Sequence, residues 1–223
     1  VPAALPEVAR SGLRAIRQNL PDLSRAAEPF CLLQENGDSF LDITDRVRAG
    51  EKGWPEGNYW LMEVVKEKPS PWYAGFTYVD LMRPGVTEAF LHLTHDAYKR
   101  VCGDEFGQTI PGSFQDEAEI GPAGGSWAVN YTPALLTEFL KRRGYDLKTE
   151  LPSLLIEKGD FRRVRHDFYL TCLELFIENW AKPYSQYCEA NNLIFTGHYW
   201  EHDWPVPRNN PDSLALNAYA HQP

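Results

Sequence analysis

Two short apolar runs, each ending in acidic residues, constrain this chain more than any other feature. The first is Thr109-Ile110-Pro111-Gly112-Ser113-Phe114-Gln115-Asp116-Glu117, and the second is Leu193-Ile194-Phe195-Thr196-Gly197-His198-Tyr199-Trp200-Glu201. Both have the length and composition of buried strands. The residues between them carry mostly helical pattern. A strand, a long helical crossover and a second strand make a parallel pair. In a β/α barrel the chemistry sits where such strands end, and two carboxylates at that rim are what cleavage of a glycosidic bond requires.

The rest of the chain fits a globular α/β protein. Of its 223 residues 43% are hydrophobic and 24% charged, which excludes a disordered tail. A net charge of −9 argues against a nucleic-acid surface, which needs a basic stripe. No apolar stretch approaches the ~20 residues of a membrane span. Seven Trp, eleven Tyr and eleven Phe suit either a large aromatic core or planes on which sugar rings pack. Cys31, Cys102, Cys172 and Cys188 show no metal-ligand spacing, and no disulfide framework is expected, although four cysteines leave room for one bridge.

Along the chain, Val8, Leu13, Ile16 and Leu20 recur at roughly helical spacing and predict a helix over Val8–Leu20. Asn36-Gly37 marks a hairpin within 31–47, and 59–65 reads as a strand. Pro84 opens a helix that Gly103 closes. Thr132 and Pro133 begin another that ends at Gly144, and Asp160 caps a long one reaching about Asn191, bent near Pro183. Residues 214–219 begin a further helix. The spacing predicts an incomplete N-terminal segment over 1–50 and, over 51–223, part of a (β/α)8 TIM-like barrel with strands at 59–65, 109–117 and 193–199. A whole barrel takes about 250 residues, so the chain reads as a piece of a longer polypeptide whose remainder would be its partner.

Strand parity places Ser113, Gln115 and Glu117 on one face, with Ile110, Gly112, Phe114 and Asp116 on the other. If apolar side chains face the helices and polar ones the lumen, Glu117 points into the funnel. Asp116 turns sideways, holding the rim by hydrogen bonds near the substrate. Glu117 and Glu201 are the candidate catalytic carboxylates. His198 is a candidate substrate hydrogen-bonder, and Trp127, Tyr199, Trp200 and Trp204 are candidate sugar platforms. The alternatives are a surface or helix-capping carboxylate for Glu117 and a packing role for His198. His92 and His95 with Asp96 suggest a metal site, but no third ligand of matching context and no HExxH spacing accompanies them. No P-loop, GxGxxG or GxSxG motif occurs.

Several motifs together resemble the barrel of α-L-rhamnosidase-type glycoside hydrolases, glycoside hydrolase family 106 and relatives. They are Trp54-Pro55-Glu56-Gly57-Asn58-Tyr59, Tyr78-Val79-Asp80-Leu81, Phe90 with Leu93-Thr94-His95, and Phe106 through Gly112. Gln115-Asp116-Glu117, Arg143-Gly144-Tyr145-Asp146-Leu147 and Thr196-Gly197-His198 with Glu201 complete the set. The resemblance covers roughly residues 40–205. It departs at Gln115-Asp116-Glu117-Ala118, where the family pattern is Thr-Asp-Glu-Pro. It implies a glycosidase with two Glu, inverting, often with bound calcium whose ligands do not map onto this sequence, and an extracellular or periplasmic location. The rivals are a non-catalytic carbohydrate-binding or scaffold protein on a barrel-derived fold, and a metal-dependent hydrolase using His92, His95 or His198.

Overall fold

The segment read above as a helix over Val8–Leu20 forms a strand instead. Leu13 and Ala15 are buried while Arg14 and Arg17 are exposed, the alternation of a strand rather than a helical stripe. Eight consecutive residues pair with a second strand, and Arg14 lies opposite Glu63, its Nε donating to Oε1 at 2.6 Å. The weak helical spacing is overridden by this ladder.

The computed structural model describes residues 6–202 and 205–222. Its strands are β1 (Ser11–Gln18), β2 (Pro29–Asn36), β3 (Ser39–Asp42), β4 (Tyr59–Lys66), β5 (Gly112–Ala118), β6 (Ala128–Tyr131) and β7 (Ile194–Tyr199). Its helices are α1 (Thr44–Arg48), α2 (Val86–Leu93), α3 (His95–Cys102), α4 (Leu135–Arg143), α5 (Phe161–Phe176), α6 (Lys182–Ala190) and α7 (Ser213–Asn217). The fold is α/β. None of these helices is long and apolar enough to cross a membrane. The four cysteines are free.

Contacts divide the chain into two units. One comprises Ser11–Glu67 and Pro122–Thr171, the other Val1–Arg10, Lys68–Gly121 and Cys172–Pro223. Neither is continuous in sequence. The boundary after Thr171 falls inside α5.

The first unit holds a five-stranded sheet of order β3-β2-β4-β1-β6, antiparallel at every pairing. Leu32, Ile43, Tyr59 and Leu61 form its buried cluster, with Ile16, Val47 and Trp54 packed against them. The hairpin at Asn36-Gly37 forms as β2–β3. Strand β4, expected as a parallel barrel strand, is antiparallel to both neighbours. An apolar run gives the burial of a strand but not the direction of its partners, and here two strands from the N-terminal segment flank it.

The second unit holds β5 and β7 as a parallel pair. Tyr184 of α6 stacks on Phe195 of β7 with centroids 4.6 Å apart. The expected helix after Pro84 is broken at Thr94 into α2 and α3. There the Thr94 hydroxyl donates to the carbonyl of Phe90 at 2.7 Å, a back-bond that bends helices. Helix α5 passes into α6 through a wide π turn at Ile177–Ala181, just before Pro183, which has no N–H to give.

The faces of β5 are the reverse of those expected. Phe114 is 63% exposed, whereas Gln115 is buried. The helices receive the polar face because they bring partners to it. The Ser113 hydroxyl lies 2.9 Å from His95 Nε2 and 2.8 Å from the Tyr184 hydroxyl. Gln115 donates to the carbonyl of His198 at 2.6 Å and accepts from the N–H of Ala118 at 3.1 Å.

Candidate functional site

The parallel pairing sets Asp116 opposite His198 and Ala118 opposite Tyr199, so β5 and β7 deliver their last residues side by side. Gly197 makes the approach possible. Its φ is +136°, and a Cβ there would lie 2.1 Å from the carbonyl oxygen of Gln115, so no larger residue fits without moving β5. At the end of β5 the register slips between Asp116 and Ala118. Glu117 takes a left-handed conformation with φ of +53°, unusual for a residue with a Cβ. The resulting bulge turns Glu117 out of the strand's alternation, as bulges beside functional sites do. Parity therefore did not determine its direction.

Five side chains meet at this end. His198 Nε2 is 3.0 Å from Asp116 Oδ1 and His198 Nδ1 is 3.2 Å from Glu201 Oε2. His202 Nε2 is 2.6 Å from Glu117 Oε1. Single ligand atoms of Glu117, His198 and Glu201 all lie within 4.8 Å of one another. Two carboxylates bonded to the two nitrogens of one imidazole require both nitrogens to donate, which is the protonated form. In agreement, the hydrogen bond His198 donates to Glu201 above all, then that to Asp116, raises the His198 pKa above its ordinary 6.5. The same contact holds Glu201 below the usual carboxylate range.

The structure brings Glu117, Glu201, His198 and Asp116 close together at this end. Sequence reasoning did not assign a role to His202, which stands beyond β7 where no periodicity applies. The aromatic candidates divide. Tyr199 is buried at 3% exposure and packs edge-on against Phe176 at 5.7 Å, so it is a core residue and not a platform. Strand alternation that turns His198 outward turns its neighbour inward. Trp200 is half-buried, edge-on to His202 at 4.9 Å. With Glu201 it lines a hollow of about 310 Å³ whose far side is Val206 and Asn209–Leu214. Trp127 belongs to the antiparallel unit, half-exposed beside Trp60 at 6.4 Å. Trp204 lies outside the described residues.

The His92–His95–Asp96 group is not gathered around one point. His92 pairs with Asp96 at 3.1 Å, Asp96 accepts from the Tyr187 hydroxyl at 2.7 Å, and His95 turns to Ser113 and Tyr184. Burial lowers the His95 pKa. Calcium takes 6–8 oxygen ligands, whereas the gathered trio of Glu117, His198 and Glu201 includes an imidazole whose nitrogens are both bonded to carboxylates. The residues present do not fit calcium, and no chemistry is derived through it.

No family model matches the chain, and no curated protein matches it. Among solved structures, it is similar to that of a rhamnosidase from Novosphingobium sp. PP1Y, with a TM-score of 0.57, 22% identity and 85% of this chain covered. The chain spans 19% of that protein's length. At this identity the likeness is one of fold and does not reach membership of a particular glycoside hydrolase family: the chain has a rhamnosidase-like fold.

Proposed function

We propose that this chain carries part of the active site of a glycoside hydrolase acting on α-L-rhamnosidic or similar bonds, with β5 and β7 as two strands of a barrel that the complete enzyme would finish. The observation that carries the reading is the convergence of Glu117 and Glu201 at the C-terminal ends of adjacent parallel strands, with ligand atoms within 4.8 Å. The fold likeness to a rhamnosidase supports it.

Within that reading the roles divide by environment. Glu201, held ionised by His198, suits the nucleophile or base. Proton donation then falls to Glu117. One oxygen of each carboxylate lies within 4.8 Å of the other, close enough for both to address one glycosidic bond.

The test is hydrolysis of an aryl α-L-rhamnoside by the complete polypeptide. Glu117→Gln and Glu201→Gln should each lower kcat by about 10²–10⁴-fold or more, since an amide cannot exchange the proton. Small, equal losses in both, with sugar binding intact, would leave the non-catalytic carbohydrate-binding reading in place.

A further inference from the structure

We propose that Ser113 and His95 form a catalytic site of their own, a serine nucleophile with its general base, that cleaves esters of short-chain carboxylic acids. The proposal does not rest on the glycosidase reading. Ser113 is the second residue of β5 and Glu117 the sixth of seven, so about 13 Å of strand separates them at about 3.3 Å per residue. The hydrogen bonds around His95 fix its tautomer. The Thr94 hydroxyl gives its one proton to the carbonyl of Phe90 at 2.7 Å, so in its 2.9 Å contact with His95 Nδ1 it accepts. Nδ1 therefore carries the ring proton, and Nε2 presents a lone pair. That nitrogen lies 2.9 Å from Ser113 Oγ and 3.0 Å from the Tyr184 hydroxyl, and the two hydroxyls are 2.8 Å apart. Donation from Tyr184 to Ser113 and from Ser113 to Nε2 satisfies all three groups. It is also the signature of an activated nucleophile: a base within hydrogen-bond reach, itself oriented by a third group. Burial lowers the His95 pKa against the opposing charge of Asp96, so at neutral pH the ring is uncharged and able to take a proton.

A network that only packed the core would need no opening beside it, and this one has an opening. Ser113 and His95, both half-buried, line a hollow of about 250 Å³ whose other walls include Tyr98, Phe106, Ile110 and Leu193. Such walls suit a short acyl chain, and the volume is below the usual range of drug-sized sites, too small for a fatty acyl chain. Ser113 Oγ attacks the ester carbonyl carbon while its proton passes to Nε2. The bond to the alcohol oxygen then breaks, Nε2 returns the proton to that oxygen, and acyl-Ser113 remains. Water, deprotonated by the same nitrogen, releases the acid and restores the serine. Tyr184, whose pKa burial pushes up to about 12, stays protonated as a donor beside the attacked carbonyl. Thr94 has no charge with which to stabilise the imidazolium, so turnover is slow and modification of the serine is the step to follow.

The test treats the complete polypeptide with an alkyl fluorophosphonate, which modifies activated serines, and locates the modified peptide by mass spectrometry. Ser113 should carry the label. The parent should hydrolyse p-nitrophenyl butyrate at least about ten-fold faster than Ser113→Ala does, and should not hydrolyse p-nitrophenyl palmitate above that background. His95→Gln keeps a hydrogen-bonding side chain but cannot take the proton, so it should slow labelling of Ser113 by about ten-fold or more. Near-ultraviolet circular dichroism matching the parent shows that a variant keeps its packing, and labelling of the parent needs no variant at all. No label at Ser113 in the parent, or equal butyrate hydrolysis by the parent and Ser113→Ala, overturns the proposal and leaves Ser113, His95 and Tyr184 as a packing network.

Discussion

The left-handed backbone at Glu117 is the device that aims the candidate carboxylate, and it can be tested without any substrate. Glu117→Ala and Glu117→Gly both remove the side chain and its contact with His202, so the difference between them isolates the backbone. A residue with a Cβ in the left-handed region costs about 1–2 kcal/mol. Glycine avoids that cost but loses about 0.5–1 kcal/mol more chain entropy on folding. With φ at +53°, Glu117→Gly should therefore be more stable than Glu117→Ala by about 0.5–1 kcal/mol. At an ordinary extended position the order reverses by about the same amount. Urea unfolding followed by tryptophan fluorescence at fixed pH measures the difference, provided the two m-values agree. If Glu117→Ala is as stable as Glu117→Gly or more so, the bulge does not hold residue 117 in this conformation, and the account of how Glu117 leaves the strand's alternation is wrong.

Three further outcomes are expected. The His198 imidazole should titrate above 6.5 by NMR, and Glu201→Gln should lower that value. Because the folded pKa is raised, the contribution of His198 to stability is full below pH 6.5 and fades as pH rises through the folded value, whereas that of Glu201, whose pKa is lowered from 4.5, is full above 4.5 and fades on acidification through its folded value. A His198 that titrates at or below 6.5 would sink the clamp. Gly197→Ala should destabilise the parallel pair by about 3 kcal/mol or more, combining a backbone region closed to alanine with a clash on Gln115; a loss under about 0.5 kcal/mol, within the scatter of surface changes, would contradict the close approach. Tyr199→Phe should raise stability by about 1 kcal/mol, since the Tyr199 hydroxyl is buried without a hydrogen-bond partner, and a destabilised variant in thermal melts would show that the hydroxyl is satisfied.

The parts of the fold legible in the sequence are those set by local chemistry. Asn36-Gly37 dictates a hairpin, and the apolar runs ending at 117 and 201 give β5 and β7 together with the end at which their carboxylates emerge. What misled was decided by partners distant in sequence. The stretch Val8–Leu20 has a pattern that serves a helix or a strand, and β4 and β6 claim it as a strand. The phase of β5 was inverted because Ser113 and Gln115 look like lumen residues until Tyr184, His95 and the carbonyl of His198 are brought to them. Tyr199 could be a platform or a core residue by composition, and only the outward turn of His198 decides. The bulge at Glu117 has no signal in Gln115-Asp116-Glu117-Ala118, which contains no glycine to advertise a left-handed residue.

The imidazoles give the cluster its chemical sense. Two carboxylate charges with oxygens within 4.8 Å of one another would repel by roughly 1 kcal/mol or more even in water, and by more as water is excluded. His198 offsets this by bonding Glu201 and Asp116 at once, and His202 stands against Glu117. On the glycosidase reading, a sugar that enters must part His202 from Glu117, while His198 stays braced between two carboxylates. Glu201 then keeps its cation and its negative charge, and Glu117 faces a neighbouring carboxylate with its own partner displaced. On that reading the ionised Glu201 and the freed Glu117 stand beside one bond, the pair that a two-carboxylate hydrolysis needs.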